Sequence, residues 1–303
     1  METIIKLRNV SKRYGRHLVL DKVNMTINKG DIYGFVGENG SGKTTIIRLI
    51  TGLIFPLEGD IEIFGVNSNS KEVLKQRSRI GAIVESPSIY KNMSAKENLL
   101  TQASLLNVTD LNRIDEVLHM VGLGYLIGDK KKAGNFSLGM RQRLGIAMCL
   151  LSDPELIILD EPMNGLDPQG IVEIRELILK LNQEKNISFL VSSHILTELS
   201  LIANKYGIIS KGKMIKEITN EELKYECRDY RLVKSNDNDK LYKILLTVID
   251  ESNLLKASNG VRVYGEVSLN ELFNVINQHE INVNSIDTIE TNIEEYYLKT
   301  VRV

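Results

Sequence analysis

Tryptophan is absent and only two cysteines, Cys149 and Cys227, occur in 303 residues. Two thiols are too few for a disulfide framework or a structural zinc cluster, and they read as reduced, cytosolic cysteines. An excess of charge of one sign is missing too. With 38 basic against 39 acidic residues, the net charge of −1 gives no general reason to expect a polyanionic partner, so nucleic acid is not an expected ligand. Long apolar runs are also lacking. Residues 1–14 alternate apolar and charged side chains and do not build a signal-peptide core. The richest candidate, residues 187–203, contains His194 and Glu198 and is short for a membrane span. If the protein works at a membrane, another chain must cross it. No internal repeat or low-complexity block stands out.

What is present begins with a 43% hydrophobic fraction, ample for a core, in a chain long enough for about two domains. The most informative stretch is Gly37-Glu38-Asn39-Gly40-Ser41-Gly42-Lys43-Thr44-Thr45, placed between a short apolar strand at 33–36 and a helical pattern at 43–51. Strand, glycine-rich loop and helix in that order form a phosphate-binding P-loop. Glycines let the backbone aim several N–H groups at one anion, and the helix adds its positive end. Lys43 is the expected point charge for the outer phosphates of a nucleoside triphosphate, and the Thr44 hydroxyl the expected ligand of its magnesium.

The surrounding pattern predicts an α/β cassette. Residues 4–10 and 19–27 read as paired strands with a turn at 12–15, and strands follow at 31–36 and 60–64. A further strand at 80–84 precedes a helical insertion over about 88–150, in which residues 94–126 have helical spacing and Ser94 with Glu97 forms a capping box. Nearly continuous apolar strands at 156–159 and 187–191, separated by a helix at 168–181, imply a mainly parallel core sheet covered on both faces. A strand at 206–209 and a turn at 211–213 close a first domain, 1–220. Segments 261–267, 269–277 and 281–286 suggest a small α+β accessory domain, 221–303, without a catalytic constellation.

Two further segments carry chemistry. The strand Leu156-Ile157-Ile158-Leu159 ends in Asp160-Glu161-Pro162, at the sheet end where parallel sheets present ligands. Period two sends the acids to different sides, so Asp160 can support magnesium while Glu161 faces the attacking water as a general base. Ser137 is a good N-cap for the helix starting at Leu138, and Gly139 permits close backbone approach; together they make a second anion site.

Asn135-Phe136-Ser137-Leu138-Gly139-Met140-Arg141-Gln142-Arg143, in this order with the P-loop and the Asp-Glu strand, resembles the signature of the ATP-binding-cassette (ABC) ATPases. The resemblance implies that Tyr14 stacks on adenine and that Ser137, Leu138, Gly139 and Met140 cover the nucleotide of a partner subunit. It also implies that Asp167, in Gly165-Leu166-Asp167, contacts the partner, and that His194 senses the γ-phosphate. Glu85 stands where the family usually has glutamine; a carboxylate can still ligate magnesium but cannot donate an amide hydrogen bond.

One set of motifs per chain implies a homodimer or a dimer with a sibling cassette, binding ATP and Mg²⁺. Residues 80–87, the signature and the ending at 293–299 are similar to the bacterial bacitracin and lantibiotic export ATPases. That similarity implies a cytoplasmic subunit on the inner face of the membrane, driving a separate permease that exports or confers immunity to a peptide antibiotic. Another cargo, such as a lipid, an ion or a drug, remains an alternative. A soluble cassette acting on ribosomes or DNA is disfavoured, because there is no second cassette and no long coiled-coil insertion.

Overall fold

The computed structural model describes residues 2–301 apart from Glu266 and Glu280. Glu266 belongs to the 261–267 segment singled out above, and so that part of the expectation lies outside the described residues. The chain divides into two compact units, Met1–Asn220 and Glu221–Val303.

In the first unit, β1 (Thr3–Tyr14) and β2 (His17–Asn28) form a long antiparallel pair, and β3 (Ile32–Val36) leads through the P-loop into α1 (Lys43–Thr51). The first turn lies at residues 15 and 16, not 12–15, because β1 keeps pairing with β2 up to Tyr14 opposite His17. The strands β4 (Glu58–Ile63) and β5 (Val66–Asn67) complete a sheet of order β2-β1-β4-β5. After α2 (Val73–Arg77) and β6 (Ile80–Ile83), the predicted helical stretch at 94–126 proves to be two helices, α3 (Ala95–Leu105) and α4 (Asn112–Met120), and a short 3₁₀ turn. Ser94 and Glu97 do form the capping box of α3, while Asn107, in a left-handed conformation at φ 56°, ends the helical path without glycine or proline.

The rest of the unit runs through α5 (Leu138–Leu150), β7 (Leu156–Leu159), α6 (Pro168–Lys185), β8 (Ser188–Ser193), α7 (Leu196–Ser200), β9 (Lys205–Ser210) and β10 (Lys213–Thr219). The second sheet has the order β10-β9-β3-β8-β7-β6, parallel throughout except for β10. Every residue of β3, β7 and β8 is buried, which is what continuous apolar strands covered on both faces require. One core joins the two sheets and α1, with Leu7, Val23, Phe35, Ile46, Ile50, Ile158 and Leu190 among its fully or almost fully buried members. At the end of the sheet opposite the P-loop, Tyr33 donates to Glu217 on β10 at 2.8 Å. Burial first, and then the charge of Glu217, push the Tyr33 hydroxyl pKa well up, so the donor stays protonated.

The second unit opens with α8 (Asn220–Glu226). It has a β-α-β-β-α-β order: β11 (Tyr230–Ser235), α9 (Asn238–Leu245), β12 (Leu254–Ala257), β13 (Gly260–Tyr264), α10 (Leu269–Gln278) and β14 (Val283–Ile289), then α11 (Ile293–Val301). Its antiparallel sheet has the order β12-β13-β11-β14. Alternate residues Val233, Val261 and Val263 meet Leu241 and Leu245 of α9 and Leu272 and Ile276 of α10 in a separate core.

Candidate functional site

Strands β3, β7 and β8 end side by side, and each delivers one segment of chemistry at its carboxyl end. The P-loop leaves β3 with Gly37 so tightly placed that a Cβ there would stand 2.5 Å from the Ile209 carbonyl oxygen and from Ser41 Oγ. Gly42 caps α1 at φ 113°, a conformation that side chains resist, and a Cβ would meet Leu20 at 2.5 Å. Glu38, Asn39 and Gly40 are exposed, whereas Ser41, Lys43 and Thr45 are buried. Ser41 Oγ is buried without a hydrogen-bond partner. An orphaned hydroxyl inside a loop of N–H groups suits an anionic ligand.

Lys43 Nζ donates to the carbonyls of Gly37 at 2.5 Å and Glu38 at 3.3 Å, so its chain folds back over the loop. Thr44 Oγ1 donates to Asp160 Oδ2 at 2.8 Å. The two groups expected to share magnesium are thus already in contact. Asp160 is nearly fully buried, and its other oxygen accepts from Ser192 Oγ at 2.6 Å.

The next residue turns away. Glu161 adopts φ 49°, and its N–H donates to the same Ser192 hydroxyl at 2.9 Å. Its Oε1 lies 3.2 Å from Lys43 Nζ without making a hydrogen bond, and its Oε2 accepts from His194 Nδ1–H at 2.8 Å. The structure therefore brings Lys43, Thr44, Asp160, Glu161 and His194 into one cluster.

Ser192 carries no role in the sequence reading. Pairing of Leu159 with Val191 in the parallel register puts Ser192 beside Asp160, and a polar pair, Ser192-Ser193, ending an apolar strand at the same sheet edge was its only signal. Arg48 was missed as well. It lies one helical turn beyond Thr44 on α1 and forms an ion pair with Glu85, whose backbone is left-handed at φ 65° and whose side chain is mostly exposed.

The other predicted residues lie apart from that cluster's contacts. Tyr14 ends β1, is 44% exposed as a residue and has the Lys12 ammonium 5.5 Å from its ring centre. Ser137 is exposed and its Oγ accepts from the Met140 N–H at 3.1 Å, capping α5. Leu138 is partly exposed. Met140 is buried, so its side chain serves the core, and its N–H is taken by Ser137. A Cβ on Gly139 would find only ordinary contacts, Leu166 at 3.8 Å and Gly170 at 4.0 Å, and so nothing in its own chain requires glycine there. Asp167 caps α6, accepting from Gly170 N–H at 3.2 Å.

Comparison with known proteins gives the family. The ABC transporter family model matches residues 20–164, from within β2 to three residues past Glu161. The chain is 45% identical over 99% of its length to the bacitracin transport ATP-binding protein BcrA of Bacillus licheniformis, covering 98% of that protein. It is 43% identical over 71% of its length to the lantibiotic transport ATP-binding protein SrtF of Streptococcus pyogenes, covering 90% of that protein. Among solved structures, a dimeric post-hydrolysis state of the ATP-binding cassette MJ0796 bound to ADP and Pi matches with a TM-score of 0.64 at 26% identity, over 72% of this chain and 99% of that one. Among the described residues, no helix is long and apolar enough to cross a membrane. The chain belongs to the ABC transporter ATP-binding proteins, as an ATP-hydrolysing cassette subunit.

Proposed function

We propose that this cassette, acting as a dimer with itself or a sibling, drives a separate membrane permease that exports or confers immunity to a peptide antibiotic of the bacitracin or lantibiotic type. Residues 37–45 hold the phosphates, and Tyr14 stacks on adenine. Thr44 and Asp160 hold Mg²⁺, with Glu85 beside them. Glu161 takes the proton of the attacking water, and His194 orients it and contacts the γ-phosphate. Ser137, Leu138, Gly139 and Met140 cover the nucleotide of the partner, and Asp167 lies at the shared surface. Residues 1–220 are the nucleotide-binding domain, residues 221–303 an accessory domain, and the dimer sits on the inner face of the membrane through its permease.

The observation that carries this reading is the Lys43–Thr44–Asp160–Glu161–His194 cluster, complete in one chain, while Gly139 keeps space that its own chain does not need. Similarity over the whole length to a bacitracin transport ATP-binding protein supports the cargo class. The test is Glu161→Gln. It should stop turnover and leave an ATP-bound dimer in sedimentation, whereas a monomer hydrolysing ATP normally would sink the mechanism. For the cargo, disruption of the gene should sensitise cells to bacitracin-type or lantibiotic peptides, and unchanged sensitivity to both would remove that assignment.

A further inference from the structure

Glu161 occupies an unusual position for a residue that is to act on water. Its Oε1 is 3.2 Å from Lys43 Nζ and its Oε2 is 2.8 Å from His194 Nδ1. His194 is assigned above to the γ-phosphate of ATP and Lys43 to its outer phosphates. One planar anion thus engages both of them at once. The reach is fixed from below, because the left-handed backbone of Glu161 is held by its N–H bond to Ser192. Contact with Lys43 is electrostatic only, since Oε1 makes no hydrogen bond while the ammonium donates to Gly37 and Glu38. A more highly charged oxyanion with better geometry can displace it.

We propose that, before nucleotide binds, the Glu161 carboxylate stands in for the γ-phosphate, which makes Glu161 a residue that discriminates triphosphate from diphosphate. ATP has to displace this carboxylate from both Lys43 and His194; ADP, ending one phosphate short, competes for Lys43 alone and leaves the bond to His194 in place. The single chain therefore binds ADP in preference to ATP, and donors from a second chain are needed to tip the balance. Displacement also has a catalytic consequence. The same step that seats the γ-phosphate on Lys43 and His194 releases the carboxylate toward the water. This inference rests on the reading of Lys43 and His194 as phosphate contacts.

Plain repulsion between a carboxylate and a phosphate also weakens ATP binding, and side-chain length separates the two explanations. Glu161→Gln keeps the length and removes the charge. Glu161→Asp keeps the charge but withdraws the oxygens by one methylene, too short to bridge Lys43 and His194. Binding of ADP and of the non-hydrolysable analogue AMP-PNP, each with Mg²⁺, is measured by calorimetry on the full chain at concentrations where sedimentation gives a monomer.

Both variants should bind AMP-PNP about tenfold more tightly than the parent while ADP affinity stays within about twofold. The nucleotide-free variants should still melt cooperatively but at a lower temperature, because buried Lys43 loses its counter-charge. Repulsion alone predicts that Asp behaves like Glu and that Gln melts no lower. Either that pattern or an unchanged AMP-PNP to ADP ratio in both variants overturns the proposal. The underlying reading is tested apart, with Lys43→Ala and His194→Ala. If both bind AMP-PNP like the parent, those residues are not phosphate contacts, and that reading fails whatever Glu161 does.

Discussion

Ser192→Ala is the substitution that most directly probes how the acids at the end of β7 are held. The hydroxyl is completely buried, donates to Asp160 Oδ1 at 2.6 Å and accepts from the Glu161 N–H at 2.9 Å. Removing it deletes one bond to a charged acceptor, worth about 1.5–3 kcal/mol, and leaves a backbone N–H without its partner, which costs about 1–3 kcal/mol. Both losses fall on adjacent residues and overlap, so we expect about 3 kcal/mol in total. For a unit of this size that is roughly a 6–12 °C fall in melting temperature. Urea titration of the full chain, followed by a probe in the first unit, gives the free energy directly. Turnover should fall as well, because Asp160 and Glu161 lose the hydroxyl that sets their spacing. A cost below about 0.5 kcal/mol, within the range of ordinary surface substitutions, together with unchanged magnesium dependence, would refute the reasoning.

Arg48→Met should free the Glu85 carboxylate and lower the Mg²⁺ concentration needed for half-maximal hydrolysis by roughly threefold or more; adding Glu85→Gln should cancel the shift, and additive effects in that double-mutant cycle would show the pair is not coupled. Burial pushes the Cys149 thiol up to about 12, so at about pH 8 only roughly one molecule in ten thousand carries the thiolate and the folded chain should not react there with a disulfide reagent until it unfolds. The Glu97 carboxyl is held below its ordinary value first by the Ser94 N–H and then by Lys132. That stabilisation is present above the unfolded pKa and is lost as pH falls through the lower, folded one, so Glu97→Gln should flatten the acid side of a stability-versus-pH curve, and an unaltered slope there would argue against it.

Local order made much of this protein legible before its coordinates. A strand, three glycines, a lysine and two threonines in sequence fix the P-loop, since loop and helix start depend on adjacent residues. The Asp-Glu strand was legible for the same reason, its four apolar residues requiring burial on both faces. What stayed hidden depends on register and on distant partners. Ser192 matters only because β7 and β8 align Leu159 with Val191. The strand β10 mixes charged residues with Met214 and Ile218, and it is held in part by a contact that spans the unit, from Glu217 back to Tyr33. The break between α3 and α4 carries no glycine or proline, and Asn107 makes it by adopting a left-handed backbone, which asparagine tolerates better than most residues.

The pairing of charges around the P-loop explains how a chain of nearly neutral net charge can gather acids at a phosphate site. Glu85 is matched by Arg48, Asp160 by two hydroxyls, and Glu161 by Lys43 and His194. Each acid is thus neutralised or solvated by the protein before any nucleotide arrives, as the buried Asp160 must be. Arriving phosphates carry negative charge and compete for the same cations. The two ion pairs differ in how they answer that competition. Glu85 is mostly exposed and Arg48 partly so, and water therefore screens their separation and keeps the cost of breaking the pair small. Lys43 is buried, and losing Glu161 without another anion in its place costs stability. On the proposed reading, exchange of anions on Lys43 is therefore the step through which phosphate binding acts on Glu161.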